Sequence, residues 1–314
     1  MTLAAASPLD GRALPELGGK GPYACADLEL WRDRSFLLPP GDPRLTAIFH
    51  GQDAPEGPLQ NLQGAQVDWQ EHPDWMDLLA TNSPCHDVKL LERALYLERW
   101  APHIEKPRRL LDLGGGVGRF ADWFLRRGCE VEIVDPDLRS LWSAVSFAAG
   151  TKGKLDVHWA TGEKLPKLDP VDAVLAVEVL CYVEDPDKVL QNLLELLKPG
   201  GLLFASVEAR WGWAASLDAA PGSLKHLFED GVVNLPGDRW VKTYEGPAFE
   251  SLLRDNGFEV EFVRPTHYAA SGPFELAAGA EDLETLLQWE ERCSTHPATK
   301  LWNRAWTAFA RKPA

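Results

Sequence analysis

The sequence predicts a doubly wound α/β fold: a mostly parallel seven-stranded sheet with helices on both faces, plus an N-terminal arm and helical insertions that form a cap. Three observations predict it. Short apolar runs alternate with helix-length segments between residues 110 and 207, a glycine-dense turn follows the first run, and an acid closes the second. Alternation of this kind implies parallel strands joined by right-handed crossovers. A sheet so built carries its ligand beyond the carboxyl ends of its strands.

Residues 1–85 are expected to form the arm or cap. Roughly the first sixty are rich in Pro, Gly and Ala and are broken at Pro39-Pro40-Gly41-Asp42-Pro43, a composition that favours irregular chain. The main domain is expected over residues 86–314. A leading helix is predicted over Pro84–Ile104, where Val88, Leu90, Leu91, Ala94, Leu95, Leu97 and Trp100 recur at helical spacing behind a start signal at Asp87. Leu110–Leu113 reads as a strand, Gly118–Arg127 as a helix, Glu130–Val134 as a strand and Leu138–Ala149 as a helix. Leu155–Trp159, Ala173–Val177 and Leu202–Val207 read as further strands, with a helix over Pro186–Leu197 before the last. Residues 209–245 carry Pro221, Gly222, Pro236 and Gly237 and read as an insertion with at most short helices. A helix over Pro247–Asn256, a strand over Phe258–Val263, a largely helical insertion over 264–304 and a final strand over Ala305–Arg311 complete the reading.

Composition narrows the function. A formal charge of -15 argues against an extended nucleic-acid surface, because phosphate binding relies on clustered Lys and Arg. Cys25, Cys85, Cys129, Cys181 and Cys293 are scattered and odd in number, with no C-x-x-C pair. Neither a disulfide framework nor a metal site is therefore expected, and reduced thiols point to the cytoplasm. Asp10 and Arg12 interrupt the Ala-rich start, so no secretory leader is expected, and no apolar run approaches the ~20 residues of a membrane helix. Thirteen tryptophans stand against two methionines, and these large aromatics either line a pocket or fill core and subdomain contacts.

The chemistry concentrates in Leu111-Asp112-Leu113-Gly114-Gly115-Gly116-Val117-Gly118, a strand that ends in an acid and runs through glycines into a helix. Such glycines let the backbone turn tightly and approach a ligand, and the helix start offers unpaired N–H groups. A nucleotide-like cofactor is implied. The nicotinamide fingerprint G-x-G-x-x-G fails, since its last position counted from Gly114 is Arg119. Asp135, in Val134-Asp135-Pro136-Asp137, closes the second strand where a carboxylate can accept from both hydroxyls of a ribose. Asp137 suits a helix cap better.

Together with Leu197-Lys198-Pro199-Gly200-Gly201 before the fifth strand, these motifs resemble the Rossmann-like, S-adenosylmethionine-dependent methyltransferases over roughly residues 85–262 plus the closing strand. The resemblance implies that Asp112, Gly114, Gly116 and Gly118 hold the methionine part of S-adenosylmethionine, and that Asp135, with Pro136, holds the ribose. Gly162 and Glu163 would flank the adenine, where the chain departs from the family in having Thr161 at a place often taken by an acid. Glu178, ending the fourth strand, would lie near the methionine part.

Methyl transfer from a sulfonium is an in-line displacement, so the protein mainly positions the acceptor and excludes water. An acceptor that must lose a proton needs a nearby base, and Tyr182, Glu208 and His267 follow the fourth, fifth and sixth strands. Arg210, Trp211, Trp213 and His86 are the candidate acceptor contacts. A small-molecule acceptor is the leading expectation, with a peptide or protein acceptor as the alternative and a non-catalytic cofactor-binding module as a reading of another class.

Overall fold

The computed structural model describes residues 86–104, 108–137, 140–141, 144–145, 148, 151–212, 223–234, 240–269 and 283–314. The arm over 1–85, Trp213 and residues 270–282 of the 264–304 insertion lie outside the described residues, and for His86 only the backbone is described.

A helix, α1 (His86–Trp100), and a short 3-10 turn (Ala101–His103) lead into the sheet. The strands β1 (Arg109–Leu113), β2 (Glu130–Asp135), β3 (Lys154–Trp159), β4 (Val171–Val177) and β5 (Leu197–Glu208) follow, with α2 (Ala121–Arg126) and α3 (Pro186–Leu196) among the crossovers. Residues 140–141, 144–145 and 148 are helical, so what is described of the expected Leu138–Ala149 segment is helix. After β5 come α4 (Ser223–Glu229), β6 (Val232–Asn234), β7 (Trp240–Lys242), α5 (Gly246–Asp255), β8 (Glu259–Thr266), α6 (Leu283–Thr295) and β9 (Ala305–Arg311).

The sheet has seven strands in the order β3-β2-β1-β4-β5-β9-β8. The first five are mutually parallel, and β9 is antiparallel to both β5 and β8. Chain order reverses between β1 and β4, which places a topological switch point where their carboxyl ends diverge.

Side-chain alternation divides the core into two layers. Leu110, Val131, Ile133, Val157, Leu175, Phe204 and Phe309 face α1, α2 and α6, while Leu111, Leu113, Val134, Val174, Ala176, Leu203 and Ala308 face α3 and α5. Strands covered on both faces are near-continuous apolar runs, which is why β4 reads so clearly. α3 starts sharply because the Asp185 side chain accepts from the Lys188 N–H at 2.9 Å and Pro186 occupies the first turn.

Several expectations shift. The helix expected from Gly118 begins at Ala121, because Gly118 holds φ +82°, outside the helical basin. β5 begins at Leu197, not Leu202, because Leu197 already pairs with Val171, and β8 runs on to Thr266. The 209–245 insertion contains the antiparallel hairpin β6–β7 as well as a short helix, where only short helices were expected.

Candidate active site

The loop from Gly114 to Gly118 is held from behind. Gly114 N–H donates to Val134 O at 2.7 Å, and Gly116 N–H donates to Asp135 Oδ2 at 2.9 Å. Gly114 and Gly116 have φ of +65° and +53°, a region that β-carbon-bearing residues avoid. A Cβ on Gly114 would lie 2.5 Å from Val179 Cγ2, whereas one on Gly116 would meet nothing within 4 Å. The loop is thus packed against β4's exit at Gly114 and open to a ligand at Gly116. That open space beside the Asp135 carboxylate, a hydrogen-bond acceptor, fits the ribose hydroxyls of S-adenosylmethionine.

Two acids support this cradle. Asp112 is 1% exposed, and a Cβ on Gly115 would fall 2.8 Å from its carboxyl carbon, so it lies beneath the loop. Burial, then the charge of Asp135, pushes its pKa up to about 7, against the pull of the Ala121 N–H and Arg119. Asp135 is also pushed up to about 7, chiefly by burial, while the N–H groups of Asp137 and Gly116 oppose the shift. Its Oδ1 accepts from Asp137 N–H at 2.8 Å, so both oxygens already organise backbone. Asp137 caps the next helix through Ser140 N–H and Oγ, at 3.1 and 2.6 Å.

Across the cleft from β2, the Gly162 and Glu163 carbonyls accept from Asn192 Nδ2 at 2.9 and 3.1 Å, which fixes that turn to α3. The Trp159 indole, at the end of β3, donates to Pro136 O at 2.8 Å. These contacts bring Asp135, Pro136, Trp159, Gly162 and Glu163 to one end of the sheet.

The ends of β4, β5 and β8 gather the candidate bases. Glu178 Oε1 accepts from Tyr96 Oη at 3.1 Å, and the Tyr96 ring meets His267 edge to face at 4.6 Å between centroids. Glu208 Oε1 accepts from Tyr182 Oη at 3.2 Å, and its Oε2 pairs with Arg304. His267 is 1% exposed, buried beside Tyr96. Arg210 pairs with Glu245 at 3.3 Å, and Trp211 packs on Phe228 at 5.2 Å between centroids. Sequence reasoning missed Tyr96, Ser206, Arg304 and Trp159. Tyr96 lies among the apolar positions of α1 and reads as core, and its phenol tip is the only local signal that it does more.

The methyltransferase-domain family matches residues 88–262. Curated relatives include the ubiquinone biosynthesis O-methyltransferase of Sinorhizobium medicae, 29% identical over 154 residues, covering 46% of this chain and 62% of the relative. That of Nitrobacter winogradskyi is 35% identical over 165 residues, covering 49% and 63%. The chain therefore spans less than two thirds of the length of these relatives. Among solved structures, the S-adenosylmethionine-dependent methyltransferase of Mesorhizobium loti superposes with a TM-score of 0.50 at 19% identity, covering 71% of this chain and all of that one. One from Methanosarcina mazei gives 0.50 at 18% identity, covering 68% and 96%, and both likenesses concern the fold. With the glycine cradle, the sheet order and the family match in agreement, this chain belongs to the methyltransferase-domain family, in its Rossmann-like class, and S-adenosylmethionine is its cofactor.

Proposed function

We propose that the chain transfers a methyl group to a small-molecule acceptor and that the acceptor atom is a hydroxyl oxygen. The observation that carries this reading is Glu208: at the end of β5, 4% exposed, it holds Tyr182 Oη at 3.2 Å and pairs with Arg304. A phenol and a carboxylate thus stand together at the strand ends, where an acceptor proton has to go. The relatives' description as O-methyltransferases supports oxygen as the atom.

When bound, S-adenosylmethionine supplies an electrophilic methyl on a cationic sulfur. The glycine loop holds its methionine part, Asp135 its ribose, and Gly162 and Glu163 flank its adenine. Glu178 answers its cationic end. On the acceptor side Tyr182 would orient the hydroxyl and Glu208 would take its proton, the oxygen–methyl bond forming as the sulfur–methyl bond breaks and S-adenosylhomocysteine is left. Buried beside Tyr96, His267 serves as a wall. Arg210 and Trp211 line the acceptor pocket, with the arm over 1–85 as a cap. The charge of -15 favours a small acceptor over a nucleic acid, and the free thiols Cys129, Cys181 and Cys293 accord with a cytoplasmic setting. Among the described residues no helix is long and apolar enough to cross a membrane.

The test is transfer of labelled methyl to a panel of phenols, catechols, aliphatic alcohols and peptides. Label in a hydroxyl compound supports the reading, and label only in peptides, or in none, overturns it. With an accepted substrate, Tyr182→Phe and Glu208→Gln should each lower kcat by roughly 10²- to 10⁴-fold, with unchanged affinity for S-adenosylhomocysteine.

A further inference from the structure

Among the described residues only Glu178 and His267 hold a positive φ without being glycine, at +56° and +63°. Left-handed backbone in such residues is strained and persists where the surroundings enforce it, which happens most often at functional sites. Both outliers converge on one side chain. Tyr96 donates to Glu178 Oε1 at 3.1 Å and packs its ring against His267.

Hydrogen bonds at both ends of the residue enforce the turn at Glu178. Its N–H donates to Ser206 O and Oγ, each at 3.0 Å, and its Oε1 accepts from Tyr96 Oη at 3.1 Å. Such bonds are stronger in a low-dielectric interior than in water. Packing fixes the Tyr96 ring, which is fully buried and stacked on Trp100 at 4.8 Å with Phe120 at its edge. Burial, then the Glu178 charge, raises its pKa and keeps the phenol a donor. The other carboxylate oxygen, Oε2, accepts no hydrogen bond among the described residues, and Glu178 is half-buried at the cleft.

We infer that Tyr96 and Ser206 are positioning residues for the cofactor: they hold the Glu178 carboxylate in a left-handed turn with one oxygen turned to the cleft, ready for the ammonium group of S-adenosylmethionine. The inference rests on the reading that Glu178 faces the methionine part. It makes α1, which precedes the first strand of the nucleotide-binding unit, a part of the cofactor site.

Calorimetry with S-adenosylhomocysteine, which carries the same ammonium, tests this. Tyr96→Phe keeps the ring and its stacking and removes only the hydroxyl, so affinity should fall about tenfold, as for the loss of a hydrogen bond to a charged group. In the Glu178→Gln background the same change should add little, since the hydroxyl acts through that carboxylate. A merely structural tyrosine would lower the melting temperature and leave both affinities alone. Ser206→Ala removes the hydroxyl that accepts from Glu178 N–H and gives the same readout should the Tyr96 variant fail to fold. Unchanged affinity in a folded Tyr96→Phe protein, or in Ser206→Ala where it stands in, overturns the inference alone. A wild-type protein that does not bind S-adenosylhomocysteine overturns the cofactor reading and the inference with it.

Discussion

Asp112 and Asp135 are buried carboxyls whose pKa values both lie near 7, against an ordinary 3.8. A carboxyl raised in the folded state binds its proton more tightly there than in the unfolded chain. Its contribution to stability is therefore complete below about pH 4 and is lost as pH rises through 7. Glu132 and Asp172 act in the opposite sense. Burial raises each, but hydrogen bonds from His158 and Arg109 to Glu132, and from Lys198 and the Arg109 N–H to Asp172, outweigh it and leave both pKa values lowered. Their titration is finished by about pH 5. Between pH 5 and 8 the two buried carboxyls should thus lower the stability of the ligand-free protein as pH rises, opposed by His103, whose pKa burial lowers, and Asp112→Asn, which keeps the shape and removes one titration, should flatten the slope. Urea melts at three pH values would check this, and an equally steep decline in the variant would show that Asp112 is not its source.

At the scale of elements, what was legible in the sequence follows from how strongly each residue's surroundings constrain it. The run Ala173–Val177 is apolar, and Leu110–Leu113 apolar but for Asp112, because both faces of the strand are covered, and the glycines at 114, 116 and 118 are required by backbone that no other residue adopts easily. The hairpin β6–β7 was illegible: three-residue strands offer too short an alternation to distinguish from loop. Tyr96 and Arg304 were hidden differently, since they reach the site from 82 and 96 residues away from their partners Glu178 and Glu208, a proximity that only tertiary packing creates. The insertion after β5 carries its own expectation. Trp211 follows the end of β5 and packs on Phe228 of α4, which is itself 62% exposed. Trp211→Ala should lower kcat/KM for the acceptor roughly tenfold or more, as for loss of about 1.4 kcal/mol or more of transition-state binding, while affinity for S-adenosylhomocysteine holds. Equal losses in both would make the ring a packing residue.

For the molecule as a whole, the proposed cofactor cleft is at the switch point between β1 and β4, the seam between the two halves of the parallel sheet. Its walls come from both. β1 and β2 supply the glycine loop and Asp135, while β4 and β5 supply Glu178 and Ser206, and α1 crosses to them with Tyr96. A ligand held by both halves binds the folded chain and has no comparable site in the unfolded one, so occupancy adds directly to global stability. At a hundred times its dissociation constant the gain is about 2.7 kcal/mol, which raises the melting temperature by roughly 5 °C in a domain of this size. S-adenosylhomocysteine should give that shift in a thermal melt, rising with the logarithm of its concentration. NAD should give none, because the glycine loop lacks the third fingerprint glycine: Arg119 stands in its place, engaged with Glu92 at 3.1 Å. A shift with NAD and none with S-adenosylhomocysteine would mean that the cradle around Gly116 had been assigned to the wrong nucleotide.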